Sequence, residues 1–368
     1  MKKIAFAKLS SEGFAVTLRN RVTSFLKETG KSRFGGNALV YKTIVMFLLF
    51  FTPLVLLMSG IIVNSGLLFG LYLISGLGMA GLGMCVMHDA LHGSYARNSK
   101  VNRIVGYTLN LIGGNDQVWK LQHNVLHHSY TNIEDHDDDI NAPHLLRFSP
   151  NSELRPIHRY QHLYAWFLYG LSTIFSLTVK DFIKIKRYYG YGLIRDKKTY
   201  GGKVLNIIFW KLIYLSYSLM LPLILAPFSP WLICLAFLSM HFIASLTLTV
   251  IFQTAHVIPK SQFPVPDNAN ALETDKWIHQ LTTTCNFAPG NRTMIWLTGG
   301  LNHQIEHHLF PHISHVHYRE ISKIVRETAK EFGVIYNYYP TLLSAIRGHY
   351  QMLWILGRPG LGLAPVPA

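Results

Sequence analysis

Residues 67–92 read LLFGLYLISGLGMAGLGMCVMHDALH: the part from 67 to 87 has no Asp, Glu, Lys or Arg and runs straight into two histidines four positions apart. At a rise of about 1.5 Å per residue, about 20 apolar residues in a helix cross roughly 30 Å of hydrocarbon. Three further runs have this character, Thr43–Val63, Val204–Ala226 and Trp231–Phe252, and among them only Lys211, near one end of its run, is charged. Buried helices of soluble proteins rarely stay uncharged for so long. The expectation is an all-α integral membrane protein with four transmembrane helices in two hairpins and a cytoplasmic helical cap holding a histidine-ligated di-metal site.

Charge distribution sets the expected topology. The formal net charge is +15, and nearly every Lys and Arg falls before Thr43, between Met87 and Val204, or after Phe252. The connectors NSG (64–66) and PFSP (227–230) carry none. Basic loops stay on the cytoplasmic side, so both termini and the central segment are expected there. The basic charge then reflects topology and attraction to anionic lipid; no nucleic-acid recognition motif accompanies it. The opening MKKIAFAKLSSEGF is broken by Lys8 before an apolar core of signal-peptide length forms, which leaves the first span as the insertion signal.

The expected division is 1–42, a basic amphipathic segment; 43–87, the first hairpin; 88–200, a cytoplasmic segment with an interfacial helix; 201–253, the second hairpin; 254–356, a second cytoplasmic segment; and 357–368, a flexible tail. Leu163–Val179 is uncharged and of span length, but a crossing there would put the histidine clusters on opposite faces, so it is placed in the interface. Gly70, Ser75, Gly76, Gly78, Ala80, Gly81 and Gly83 in the second span predict close helix packing. Cys85, Cys234 and Cys285 form no CxxC pair and read as small packing residues.

Eight of the nineteen histidines lie in three short clusters, HDALH (88–92), HNVLHH (123–128) and HQIEHH (303–308). His88 and His92, His123 and His127, and His303 and His307 share the four-residue spacing that puts two side chains on one helix face. His128 and His308 follow their neighbours at about 100° of helical rotation, which points them elsewhere and suggests a second metal. Eight imidazoles exceed the needs of one tetrahedral zinc, and neither HExxH nor the Glu-x-x-His motif of soluble di-iron bundles is present. His158 and His162 share the spacing but stand beside Arg155 and Arg159, where a metal cation is disfavoured, so they are read as interfacial. Asp89, Glu306 and the run EDHDDD (134–139), with His136 inside it, are candidates to hold the far ring nitrogens of ligand histidines; a solvated loop is the alternative for the run.

With these three boxes and four spans in this order, the chain resembles the membrane fatty-acyl desaturase family over roughly residues 40–340. GGLNHQIEHHLFPHI (299–313) resembles its front-end branch, which inserts a double bond between an existing one and the carboxyl end. One departure is that His303 stands where many such members begin the third box with Gln. No fused cytochrome b5 domain is expected. The resemblance implies two Fe2+ ions, dioxygen as co-substrate, and a ninth histidine ligand, His256 in FQTAHV. The metal set is then His88, His92, His123, His127, His128, His256, His303, His307 and His308.

An unactivated methylene C–H bond is beyond acid–base catalysis, so a redox metal and dioxygen fit the implied formation of a cis double bond. The substrate would be an acyl-CoA or acyl-lipid whose chain lies in an apolar tunnel. Trp119, Trp166 and Trp296 could line that tunnel or anchor the interface, and Lys184, Lys186 and Arg187 could meet a phosphate head group or mark topology. No Rossmann fingerprint or iron–sulfur pattern is present, so electrons must come from a cytochrome b5-like protein or a ferredoxin. Two rivals stay open: a membrane di-iron hydroxylase, and a metal transporter, which would require more ionisable groups within the spans than Lys211 and His241.

Overall fold

The computed structural model describes residues 3–7, 12–142 and 144–360. The end of the expected tail, from residue 361, lies outside the described residues; Gly357–Gly360 forms a turn after the Leu342–Leu356 helix. The chain is mostly helical. Its strands are two-residue parallel pairs, Ala5–Phe6 with Ala271–Leu272 and Asn286–Phe287 with Tyr338–Tyr339. Among the described residues, four helices are long and apolar enough to cross a membrane: Gly36–Met58, Ser65–Leu91, Lys197–Leu225 and Pro230–His256. Each overlaps an expected span, but the first and third begin about two turns earlier, which brings Lys42 inside the first. Leu163–Val179 forms no fifth such helix. It is divided among Gln161–Gly170, Ser172–Phe175 and a π-helical Ser176–Lys180.

The described chain separates into two compact units. One comprises Gly36–Leu121 and Trp166–Thr249 and contains most of the long helices. In it the first and second long helices are joined by residues 59–64, and the Asn64 side chain caps the second by accepting from the Leu67 amide at 3.0 Å. Small residues then allow the backbones to touch. A Cβ on Gly78 would sit 2.5 Å from the Phe50 amide nitrogen, and one on Gly76 2.5 Å from the Met240 carbonyl. Ser75 donates to the Phe50 carbonyl at 2.7 Å, adding a hydrogen bond where apolar packing alone discriminates poorly. Gly70 has open space around it and takes no part in this packing.

Lys211 lies in the interior of the third long helix rather than near its end, and its ammonium is neutralised. It meets Asp181 at 2.8 Å and donates to the Ser176 carbonyl at 2.8 Å, while Ser176 Oγ donates to the other Asp181 oxygen at 2.9 Å. The segment expected in the interface supplies the Ser176 carbonyl, and the counter-charge, Asp181, lies two residues beyond it. It is also tied to the fourth long helix: Thr173 Oγ1 lies 3.0 Å from His241 Nδ1, and Tyr214 OH lies 2.7 Å from His241 Nε2.

The other unit comprises Met1–Gly35, Gln122–Ala165 and Val250–Ala368. Its core joins the N-terminal helix Glu12–Glu28, through Phe14, Leu18 and Val22, to Ile305 and Leu309 of the third histidine box and to Ile321, Val325 and Ala329 of the Tyr318–Glu331 helix. The four-residue spacing on both longer helices is the apolar stripe of an amphipathic helix. Arg21 closes the edge of this interface, donating to Thr328 Oγ1 at 3.0 Å and pairing with Glu331 at 2.7 Å.

Removing one member of a buried ion pair leaves the other unpaired at a cost of about 3–5 kcal/mol. Lys211→Met should therefore lower the thermal unfolding midpoint in detergent markedly, and Lys211→Met combined with Asp181→Leu should recover most of the loss. An unchanged midpoint for the single variant would show that the pair is not buried.

Candidate metal centre

In the second unit, histidines far apart in the chain are brought together. His123, His127, His128, His256, His307 and His308 are all buried, none more than 8% exposed. His127, His256 and His308 form one group whose ring nitrogens could share a metal ion, and His128, His307 and His308 form another. A third combines His123 and His127 with Asp139. His128 Nε2 lies 3.2 Å from His123 Nε2 and 3.0 Å from His307 Nε2. Two nitrogens bound at right angles to one metal at about 2.1 Å lie about 3.0 Å apart.

The local backbone explains this pairing. Lys120–His127 is π-helical, with bonding from i to i+5 rather than i+4. In that register His123 and His128 approach, ring centroids 4.7 Å apart, while His127 turns to His256 at 4.8 Å and His308 at 4.9 Å. The expectation that His123 and His127 act as one pair and His128 points elsewhere assumed α-helical geometry. The structure gathers His123 and His128 about His307, while His123 and His127 still share a group with Asp139.

Orientation is set from behind each ring. His127 Nδ1 lies 3.0 and 3.1 Å from the two carboxylate oxygens of Asp137. Asp137 is itself fixed by the Asn132 amide at 2.9 Å and the Asp139 amide at 3.0 Å. Asn132, at φ 58°, also donates to the His256 carbonyl at 3.1 Å, which ties the loop after the second box to the end of the fourth long helix. His308 Nδ1 lies 2.7 Å from the Gln280 carboxamide oxygen, whose orientation is fixed because the Gln280 nitrogen donates to the His128 carbonyl at 3.2 Å. His256 Nδ1 faces the Thr283 carbonyl at 3.4 Å, and His307 Nδ1 faces Tyr318 OH at 3.4 Å.

A carboxylate, carboxamide or carbonyl oxygen accepts from Nδ1–H, which leaves the lone pair on Nε2, the tautomer a ligating imidazole needs. Burial, and then the neighbouring histidines led by His128 and His127, holds the His308 pKa well below its ordinary value, so its ring stays neutral. Nε2 of His256 and of His308 is buried with no hydrogen-bond partner among the described residues. Unsatisfied buried nitrogens are costly in a core and are what a metal-binding donor set presents. The site therefore fits a metal ion held by nitrogen donors.

His88 and His92 belong to the long-helix unit. They follow a π-helical Leu82–Met87, with ring centroids 4.8 Å apart, and Trp119 stands edge-on to both at 5.7 and 5.5 Å. Asp89, between them, is buried.

Three of the expected residues lie elsewhere. His303 is fully buried but joins no metal-compatible group among the described residues; its Nδ1 lies 3.5 Å from Glu306 Oε2. The reason is local: the box-three helix starts at Gln304, and His303 precedes it with φ −109° and ψ 60°, so the four-residue spacing does not place it on the helix face. Glu306 serves a structural network, accepting from Asn286 Nδ2 at 2.7 Å and from Tyr336 OH at 2.9 Å. His136 turns its Nδ1 to the Glu134 carbonyl at 3.2 Å, and within the acidic run it is Asp137 that holds a clustered histidine. Gln304 was missed. Its carboxamide is buried and approaches His256 without a hydrogen bond of ordinary geometry, and Gln304, His307 and His308 have the i, i+3, i+4 spacing of one helix face. Gln280 was missed because a lone Gln carries no sequence signal. His158 is occupied elsewhere, its Nε2 on the His144 carbonyl at 3.0 Å, and the His162 ring packs on Tyr350.

A family model described as fatty acid desaturase matches residues 64–340. The chain is 32% identical over 349 residues to the sn-1 linoleoyl-lipid 6-desaturase of Synechocystis sp., covering 94% of this chain and 96% of that one. It is 34% identical over 353 residues to the protein of the same name from Arthrospira platensis, covering 95% and 94%. An acyl-lipid (8-3)-desaturase of Physcomitrium patens is 33% identical over 365 residues, 96% of this chain and 74% of its own. The chain belongs to the fatty acid desaturase family and is an oxidoreductase that desaturates fatty acyl chains.

Proposed function

We propose that the protein is a front-end acyl-lipid desaturase whose buried histidines hold two iron ions. The observation that carries this is the set of three imidazoles, His127, His256 and His308, each facing an oxygen acceptor at Nδ1 so that Nε2 is left for a metal. Substrate class follows from the relatives, named for linoleoyl-lipid and acyl-lipid substrates. The proposed ligands are His88, His92, His123, His127, His128, His256, His307 and His308, with Gln304 rather than His303 beside them.

When bound, the iron pair would supply the redox chemistry by which an acyl CH2–CH2 unit loses two hydrogens to give a cis double bond, dioxygen becoming two waters with two electrons and two protons from outside. The chain's own residues position and enclose. Asp137, Gln280, the Thr283 carbonyl and Tyr318 fix four rings, and Trp119 braces His88 and His92. Leu126, Ile251 and Ala255, each at most 5% exposed, help keep water from the histidines.

The proposed topology is two transmembrane hairpins with both termini and the metal centre in the cytoplasm, supported by the absence of Lys and Arg from the connectors at 64–66 and 227–230. Electrons would come from a cytochrome b5-like protein or a ferredoxin.

Lipid extracts of cells expressing the protein should contain new double bonds on the carboxyl side of existing ones; hydroxylated acyl chains would point to the hydroxylase instead. His127→Ala and His307→Ala should abolish the product and lower bound iron, whereas His162→Ala should do little. Asp137→Asn should cost about 10–100-fold in activity or iron affinity, as loss of the group behind a ligand histidine generally does. Iron content also separates the two candidates in box three: Gln304→Ala should lower it and His303→Ala should not, and the reverse would restore His303 as the ligand.

A further inference from the structure

The desaturation proposed above, on which this inference rests, consumes two external electrons, and the second unit carries a surface suited to delivering them. The apolar face of the N-terminal helix is spent inside the protein, with Phe14, Leu18 and Val22 in the core. The helix and the loop after it present basic groups outward: Arg19, Lys27, Lys31 and Arg33 are all exposed. A helix lying on a membrane needs its apolar face for the lipid. This one has buried its apolar face and exposes Val16 alone among its large apolar side chains, which favours a soluble partner for its charges.

The same charges border the loop that follows the third histidine box. The Ser314 amide donates to the Arg33 carbonyl at 2.8 Å, so the chain around Lys31–Arg33 runs beside residues 312–314. Arg19 stacks its guanidinium over Trp277 at 5.3 Å, Trp277 meets Phe310 at 5.7 Å, and Phe310 meets the exposed His312 at 6.3 Å. Arg319 and Lys31 act electrostatically on Glu320, which Lys323 pairs at 2.7 Å, so the acidic group next to Arg319 is already compensated. The surface is close to the metal-binding side chains. Phe310 is two residues beyond His308, and Tyr318, next to Arg319, reaches His307 at 3.4 Å.

We infer that Arg19, Lys31, Arg33 and Arg319, around the loop after the third histidine box, form the docking surface for an acidic one-electron carrier protein. Opposite charge steers such encounters and makes them depend on salt. Each visit delivers one electron, the carrier being oxidised and the bound metal centre reduced, so two visits serve one double bond. Tyr318 against His307 at 3.4 Å, with Phe310 two residues beyond His308, gives that electron a compact route.

The test uses the full chain, loaded with iron, in nanodiscs of uncharged phosphatidylcholine. The probes are a soluble plant-type [2Fe–2S] ferredoxin and a soluble cytochrome b5. The variant is Arg19→Glu with Lys31→Glu and Arg33→Glu, and the control is Lys197→Glu with Lys198→Glu in the other unit; iron content and melting midpoint verify that both fold. For at least one probe, the triple variant should bind 10-fold or more weakly, with a shallower salt dependence and a raised KM for the carrier. Its turnover driven by dithionite should equal that of the wild type. Two results would overturn the inference: both carriers binding the triple variant as well as the wild type, or equal weakening in the control. A defect that emerges only in discs containing anionic lipid would assign the patch to the membrane and also overturn it. Should the wild type make no double bond even with dithionite, the desaturase reading fails, while the binding titration still decides the docking surface.

Discussion

A histidine can bind a metal only through a neutral nitrogen whose lone pair faces inward, so something behind the ring must hold the other nitrogen's proton. That requirement shapes the second unit. Asp137 stands behind His127, Gln280 behind His308, the Thr283 carbonyl behind His256 and Tyr318 behind His307, each from a different stretch of chain. Gln280 also bonds the His128 carbonyl, and Asn132 bonds the His256 carbonyl, so the elements carrying the rings are themselves cross-linked. The hydrophobic core beneath, from Phe14 to Ala329, supports the box-three helix through Ile305 and Leu309.

The long-helix unit meets a different constraint, that polar groups among apolar helices must satisfy one another. Lys211 and Asp181 do so as a pair, and Tyr214, His241 and Thr173 as a chain of hydrogen bonds. These contacts hold Thr173–Asp181 against the third and fourth long helices. The ionisable groups that a transporter would use for passage are here engaged in fixing structure.

The long helices were legible because a chain seldom leaves a run of span length uncharged unless lipid surrounds it, and the close approach at Gly76 and Gly78 because glycine leaves room for a neighbouring backbone. The start of the first long helix was not legible: Gly36–Lys42 carries Asn37 and Lys42, polar enough to look like a loop, and Lys42 is buried inside the helix. At the centre, the clusters were visible but their internal pairing was not. A π-helical turn leaves no mark in side-chain spacing, so His123 and His128 looked divergent in sequence and converge in space. His303 misled for a related reason, since four-residue spacing has meaning only inside a helix and this helix begins one residue later. Gln304 and Gln280 were hidden because carboxamides are chemically ordinary until their neighbours are known.

The most direct test of the central claim is a Mössbauer spectrum of the reduced protein loaded with 57Fe. The account predicts two ferrous sites in equal amounts per chain, both in nitrogen-rich surroundings. A single site holding all the bound iron would contradict it.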